Sequence, residues 1–149
     1  VSELFREALS RFASGVTVVS ARAADEERGM TASAFMSLSL TPPLIALGIA
    51  RQAKLWPLIE ASGAFCVSLL PQGFEAVSQH FAGRPQPEVA LRDGRVEGAL
   101  AALHCRLVGC YPGGDHHLLV GEVTEVRLGE AGPPLVYYQR AYRRLAWPS

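Results

Sequence analysis

The chain has 149 residues and equal numbers of basic and acidic side chains, 14 of each, so its formal net charge is zero; 49% of its residues are hydrophobic and 19% charged. That length suits one domain, spanning 1–149, able to bury roughly two-thirds of its unfolded surface. The composition excludes a disordered or fibrous chain, and a neutral balance without basic runs argues against nucleic acid as a partner. No run of about 18 apolar residues exists to cross a membrane. The N-terminus, with Glu3, Arg6 and Glu7 among Leu4, Phe5 and Leu9, does not read as a secretory signal. Cys66, Cys105 and Cys110 form no C-x-x-C pair, and their odd number fits a reduced, cytoplasmic setting. A chain this small and apolar also leans towards self-association.

Residues 2–14 read as a helix, with Leu4, Phe5, Ala8, Leu9 and Phe12 on one face and Gly15 as its stop. A strand over 16–22 and a polar turn over 25–29 follow, then a long second strand over 30–40. Pro42-Pro43 breaks the chain before the apolar run 44–50, which suits a strand buried on both faces. Residues 52–62 read as a helix in which Pro57 is tolerable only near the first turn. Another buried strand covers 64–70 and a short helix 73–81, ending at Gly83. The aperiodic stretch 84–98, with two prolines and two glycines, reads as a surface excursion. Strands over 100–111 and 116–128 flank the turn Pro112-Gly113-Gly114-Asp115, and 135–145 reads as a last strand. Six or so strands with short helices make the chain mainly β, an antiparallel barrel.

The most informative segment runs from Gly29 to Leu40. Period two puts Met30, Ala32, Ala34, Met36, Leu38 and Leu40 on one face, the expected core face. The opposite face carries Thr31, Ser33, Phe35, Ser37 and Ser39: four hydroxyls, one aromatic and no charge. Short hydroxyls and accessible backbone amides on a rigid strand suit a flat polar ring system. A partly exposed or subunit-facing strand has the same pattern, and both readings stand at this level. Arg51 and Lys54 follow a buried strand and open a predicted helix, which suits either a phosphate site or a solvated first turn. His116 and His117 enter a strand and point to opposite faces, so at most one serves a given site. His104, Cys105, Cys110, His116 and His117 match no standard zinc spacing, and no metal is expected. Tyr137, Tyr138 and Tyr142 with Arg140, Arg143 and Arg144 fit a ligand surface or an alternating edge strand. Nucleotide loops of the G-x-G-x-x-G and Walker types are absent, as are G-x-S-x-G and H-E-x-x-H.

Together these segments resemble the short-chain flavin reductases of the FMN-binding split-barrel fold, an antiparallel Greek-key type. The resemblance rests on residues 11–19, 29–35, 37–40 with Pro42-Pro43-Leu44, and His80-Phe81-Ala82-Gly83. Gly114-Asp115-His116 leading to Gly121-Glu122-Val123, and Pro134 to Tyr142, complete it. Their order is most similar to that in reductase components of two-component 4-hydroxyphenylacetate 3-monooxygenases. The resemblance implies a cytoplasmic homodimer that uses NAD(P)H, with NADH the expected donor, to reduce FMN or FAD and releases the reduced flavin to a separate flavin-dependent oxygenase. It implies flavin contacts from Met30, Thr31, Ala32, Ser33, Ala34, Phe35, Ser37 and Ser39, with Arg51 and Lys54 facing phosphates. It places His80, Phe81, Ala82 and Gly83 on the phosphate or adenine side, and His116, Arg140 and Tyr142 at the nicotinamide dinucleotide, with His116 in a positioning role. The family often has glycine where Ala141 stands, and the segment around Arg51 lacks the family's Ser or Thr. A split-barrel flavoprotein holding its flavin tightly and acting directly on a substrate, or a flavin-binding module without turnover, are the alternative functions.

Overall fold

The computed structural model describes residues 1–146; the last three of the domain expected over 1–149 lie outside the described residues. Seven strands form one antiparallel sheet in the order β3-β2-β6-β7-β8-β5-β4. These are β2 (Thr17–Ala23), β3 (Glu26–Ala32), β4 (Phe35–Leu40), β5 (Pro43–Ala50), β6 (Ala64–Leu69), β7 (Ala101–Gly113) and β8 (His116–Leu128). The two edges, β3 and β4, are consecutive in the chain and linked only by Ser33 and Ala34. A flat seven-stranded sheet would hold its edges nearly 30 Å apart, and two residues span only about 7 Å. The sheet must therefore roll up. Among the described residues no ladder joins β3 to β4, so the barrel stays split along that seam. Adjacent but non-consecutive strands, β2 beside β6 and β5 beside β8, supply the Greek-key element.

The barrel interior is filled from alternate strand positions: Val19, Ile45, Leu47, Ile49, Phe65, Val67, Cys105 and Leu119. Leu55, at the start of the short helix α2 (Trp56–Ser62), and Leu58 and Ile59 within it plug one end. Pro57 sits in the first turn of α2, where its missing N–H costs nothing, and Gly63 ends the helix at φ 70°. Val16, Val18, Leu70, Val96, Ala99 and Leu135 form a second cluster on the other face, packed against Phe74, Val77 and Phe81. The last two belong to α3 (Glu75–Phe81). Each fully buried aliphatic side chain contributes about 1.5–3 kcal/mol. A smaller sheet pairs β1 (Ser14–Gly15) and β10 (Ala141–Arg143) with β9 (Val136–Tyr138).

Five expectations need correction, the first being that the helix expected over 52–62 begins only at Trp56 and leaves Arg51 and Lys54 in the turns before it. The helix α1 is Ser2–Ser10, shorter than 2–14, and buries none of its side chains. The strand expected over 30–40 is two strands: the Phe35 N–H turns back onto the Ser33 carbonyl (2.9 Å), so the alternation slips by one residue. Ala32 and Phe35 both reach the core, while Ala34, Met36, Leu38 and Leu40, expected inside, are exposed. The strand expected over 135–145 is a hairpin turning at Gln139 and Arg140, which take φ 50° and 62°. Residues 84–98 are not purely superficial, because Val96 is buried and its N–H donates to Ser68 Oγ at 3.1 Å.

Candidate active site

A cleft of about 730 Å3 opens beside the seam. Its floor follows from the alternation of β5. Ile45, Leu47 and Ile49 fill the barrel, which leaves Ala46, Gly48 and Ala50 on the outer face. Ala34 extends the floor, its carbonyl accepting the Gly48 N–H at 2.9 Å. A Cβ at Gly48 would lie 3.5 Å from that of Ala34 and 3.8 Å from Cδ2 of His116, so the floor is flat. Phe5 and Leu9 of α1 form one wall, and Leu118, Tyr137 and Arg140 line the cleft as well. Ser10, Ser14 and Ser33 supply hydroxyls, and Arg6 and Arg140 are the lining cations. β4 is hydrogen-bonded on one side only, so alternate backbone groups along it face away from the sheet.

Of the candidates from sequence, Ser33, Ala34, Phe35 and Arg140 line this cleft. His116 adjoins its floor through Gly48. Arg51 sits with His116: its N–H donates to the Asp115 carbonyl (3.0 Å) and its Nε to the Gly114 carbonyl (2.8 Å), bracing the β7–β8 turn. The Asp115 carboxylate meets His116 Nδ1 at 2.8 Å, and that hydrogen bond holds Asp115 below the usual carboxylate range. Lys54 is exposed in the turn before α2 and does not line the cleft. Ser37 and Ser39 lie along the β4–β5 ladder, also outside the lining. Met30 and Ala32 face the barrel core.

A third group gathers around α3. Thr31 Oγ1 donates to the Ser78 carbonyl (2.6 Å) and the Tyr142 hydroxyl to Ser78 Oγ (2.7 Å), so both hydroxyls point at α3. His80 Nδ1 accepts the Gln86 N–H at 2.8 Å, and the Phe81 ring covers Gly29, where an added Cβ would sit 2.7 Å from it. Ala82 caps α3 and Gly83 follows at φ 94°. Tyr137, one of the tyrosines that fitted a ligand surface, lines the cleft, and Arg6 and Ser14 join it without having been expected from sequence. The available signal was the apolar face of α1, which buries none of its side chains among the described residues, and the alternating Ala-Gly-Ala of β5.

Among the described residues no group of three or more His, Cys, Asp or Glu side chains is arranged to hold a metal. Burial pushes the Cys66 thiol up to about 11 and the Cys105 thiol to about 12, whereas Cys110 is exposed, its Sγ 3.7 Å from His117 Nδ1. Thiolate is the reactive form. Titration of the native protein with a chromogenic disulfide at pH 8 should therefore show one fast thiol, lost in Cys110→Ser, and two that react only on unfolding.

Residues 9–146 match the model of the flavin reductase like domain. The chain belongs to the flavin reductase family. It is 67% identical to the 4-hydroxyphenylacetate 3-monooxygenase reductase component of Thermus thermophilus, over 100% of both chains. It is 42% identical to an NADH-dependent flavin reductase of Rhodococcus sp, over 94% of this chain and 84% of the relative. Among solved structures, flavin reductase PheA2 in its native state superposes with a TM-score of 0.91 at 36% identity, covering 99% of both chains. The cleft of this flavin reductase fits a flavin by its donor set: a flat apolar floor for the ring, hydroxyls and edge amides for its polar rim, and arginines for phosphate.

Proposed function

We propose that this flavin reductase is the reductase half of a two-component aromatic hydroxylase, taking hydride from NADH and releasing reduced FMN or FAD to a separate oxygenase acting on 4-hydroxyphenylacetate. The flat floor of Ala34, Ala46 and Gly48 carries the reading. Hydride transfer between two rings needs them stacked, and a floor without projecting side chains permits that. When bound, the flavin supplies the hydride acceptor. Ser33 and the outward backbone groups of β4 hold its polar rim, and Phe35 backs it from the core side. Arg6 and Arg140, the latter paired with Glu7 beside Arg6 on α1, attract the phosphates of flavin and dinucleotide. His116, at the end of the floor, positions the nicotinamide, with Arg51 and Asp115 fixing the turn that carries it. Lys54 and the His80–Gly83 segment do not line the cleft, so contact from them falls to the extended part of FAD or of the dinucleotide. No side chain need accept a proton, which agrees with a lining free of carboxylates.

The reading includes a homodimer in the cytoplasm. The accessible surface is 9272 Å2, about a quarter above the roughly 7,400 Å2 usual for a 16.0 kDa monomer. Much of the excess is apolar: Leu4, Phe12 and Leu40 are each more than three-quarters exposed. Sedimentation at micromolar concentration should give twice 16.0 kDa; a monomer alone would refute the dimer.

The test of the function is NADH oxidation with FMN, FAD or riboflavin added, beside the absorption spectrum of the purified protein. A colourless protein that consumes NADH only with added flavin is expected. A yellow protein inert towards NADH would make it a binding module, and one oxidising an organic substrate with its own flavin would make it a direct oxidoreductase.

A further inference from the structure

We propose that Ser78 is a positioning residue of the cleft, holding the β9–β10 hairpin over it through Tyr142. Ser78 is 2% exposed and lies in α3, away from the lining residues. It meets two elements at once. Its Oγ accepts the Tyr142 hydroxyl at 2.7 Å, and its carbonyl accepts Thr31 Oγ1 at 2.6 Å. Thr31 belongs to β3, two residues before Ser33, and the packing of Phe81 over Gly29 seats α3 on the same strand. Tyr142 pairs directly with Tyr137 across the hairpin, their rings edge to face with centroids 5.5 Å apart, and Tyr137 lines the cleft. The line of contact thus runs from β3 through Ser78 and Tyr142 to the wall formed by Tyr137 and Arg140.

The hairpin needs this tie. β9 and β10 have three residues each and β1 adds only a two-residue ladder to β9, too little to be stable alone in water. The turn places Gln139 and Arg140, neither of them glycine, at φ 50° and 62°, an arrangement that persists only where surrounding contacts over-determine it. At its tip it is held by the Gln139 N–H to the Ser10 carbonyl (2.8 Å) and by an exposed Arg140–Glu7 pair at 3.5 Å, which counts for little. The half-buried Tyr142–Ser78 bond, made at its inner end to a buried hydroxyl, is the stronger anchor, because removing the tyrosine hydroxyl leaves Ser78 Oγ unsatisfied away from water. A hairpin that spends less time in place lowers apparent ligand affinity in proportion, without altering the chemical step.

This inference rests on the reading that NADH binds in the cleft, so the test has an arm independent of turnover. In Ser78→Ala and in Tyr142→Phe, amide exchange over 136–143 of the ligand-free protein should rise by roughly fivefold or more. KM for NADH should rise by a similar factor with kcat within about twofold. The double variant should be no worse than either single one, since both remove the same bond. Unchanged hairpin exchange in Ser78→Ala, or a lowered Tm with KM unaltered, would overturn the proposal. So would a fall in kcat for Tyr142→Phe with Ser78→Ala silent, which would put the tyrosine hydroxyl on the ligand. If the wild-type protein fails to oxidise NADH with any flavin while the exchange arm behaves as expected, the assigned function fails and the anchor stands.

Discussion

Gly48→Leu should abolish flavin-dependent NADH oxidation and leave the fold standing. The glycine lies on the outer face of β5, and a Cβ there would find only ordinary contacts, 3.5 Å to Ala34 and 3.8 Å to His116. The barrel therefore tolerates the backbone change, and Tm should move by no more than a few degrees. The rest of the leucine side chain has nowhere to go but into the cleft, where the flavin ring is proposed to lie. Forcing branched carbon into a closely packed contact costs up to about 3 kcal/mol and sometimes more, and the upper figure is a loss of roughly a hundredfold in affinity. Gly48→Ala, which adds one methyl at the edge of the floor, should weaken flavin far less. Fluorescence titration with FMN and riboflavin checks both variants. Equal losses for the two flavins would place the defect at the ring and not at the phosphate.

The second large effect concerns the barrel interior. Gly121 stands in the inward row of β8 between Leu119 and Val123, and the Phe65 ring fills the space its side chain would occupy. An added Cβ would sit 2.6 Å from Phe65 Cζ and 3.1 Å from the Cβ of Cys105. Gly121→Val raises strand propensity by under about 1 kcal/mol. Overpacking a core costs typically about 1–3 kcal/mol and sometimes more. With Phe65 4% exposed and unable to swing aside, the net loss should be about 2–3 kcal/mol, lowering Tm by roughly 5–10 °C. Phe65→Leu alone should also destabilise by leaving a void, yet in the Gly121→Val background it should restore part of the loss. Calorimetry on the four proteins decides this. Additive losses would mean that the valine does not meet Phe65.

Most strands of this fold were legible as short apolar runs bounded by turn residues, such as 44–50 and 64–70, because an antiparallel barrel draws its interior from strands of that kind. Periodicity failed where the backbone resets its phase. The tight turn at Ser33–Phe35 leaves no trace in composition, so a single long strand was the natural expectation and its inner and outer faces were exchanged after Ala32. The final hairpin was missed because Gln139 and Arg140 are not turn formers in the left-handed region; the tertiary contacts of Tyr142 and Ser10 hold them there. Of the residues that line the candidate cleft, Ser33 and Phe35 stood out in the 30–40 pattern, and Ala34 and Arg140 were named through the family resemblance. The flat floor was hidden because Ala46 and Gly48 read as core within an apolar run. The hydroxyls of Thr31 and Tyr142 looked like ligand groups but are turned towards Ser78, a partner more than forty residues from either.

The most direct test of the account is a crystal structure of the protein with FMN bound. The ring is expected to lie on Ala34, Ala46 and Gly48, its rim within hydrogen-bonding distance of Ser33 and the outward backbone groups of β4, and its phosphate towards Arg6 or Arg140. A ring bound elsewhere, such as in the smaller cleft lined by Cys66 and His104 on β6 and β7, would contradict it.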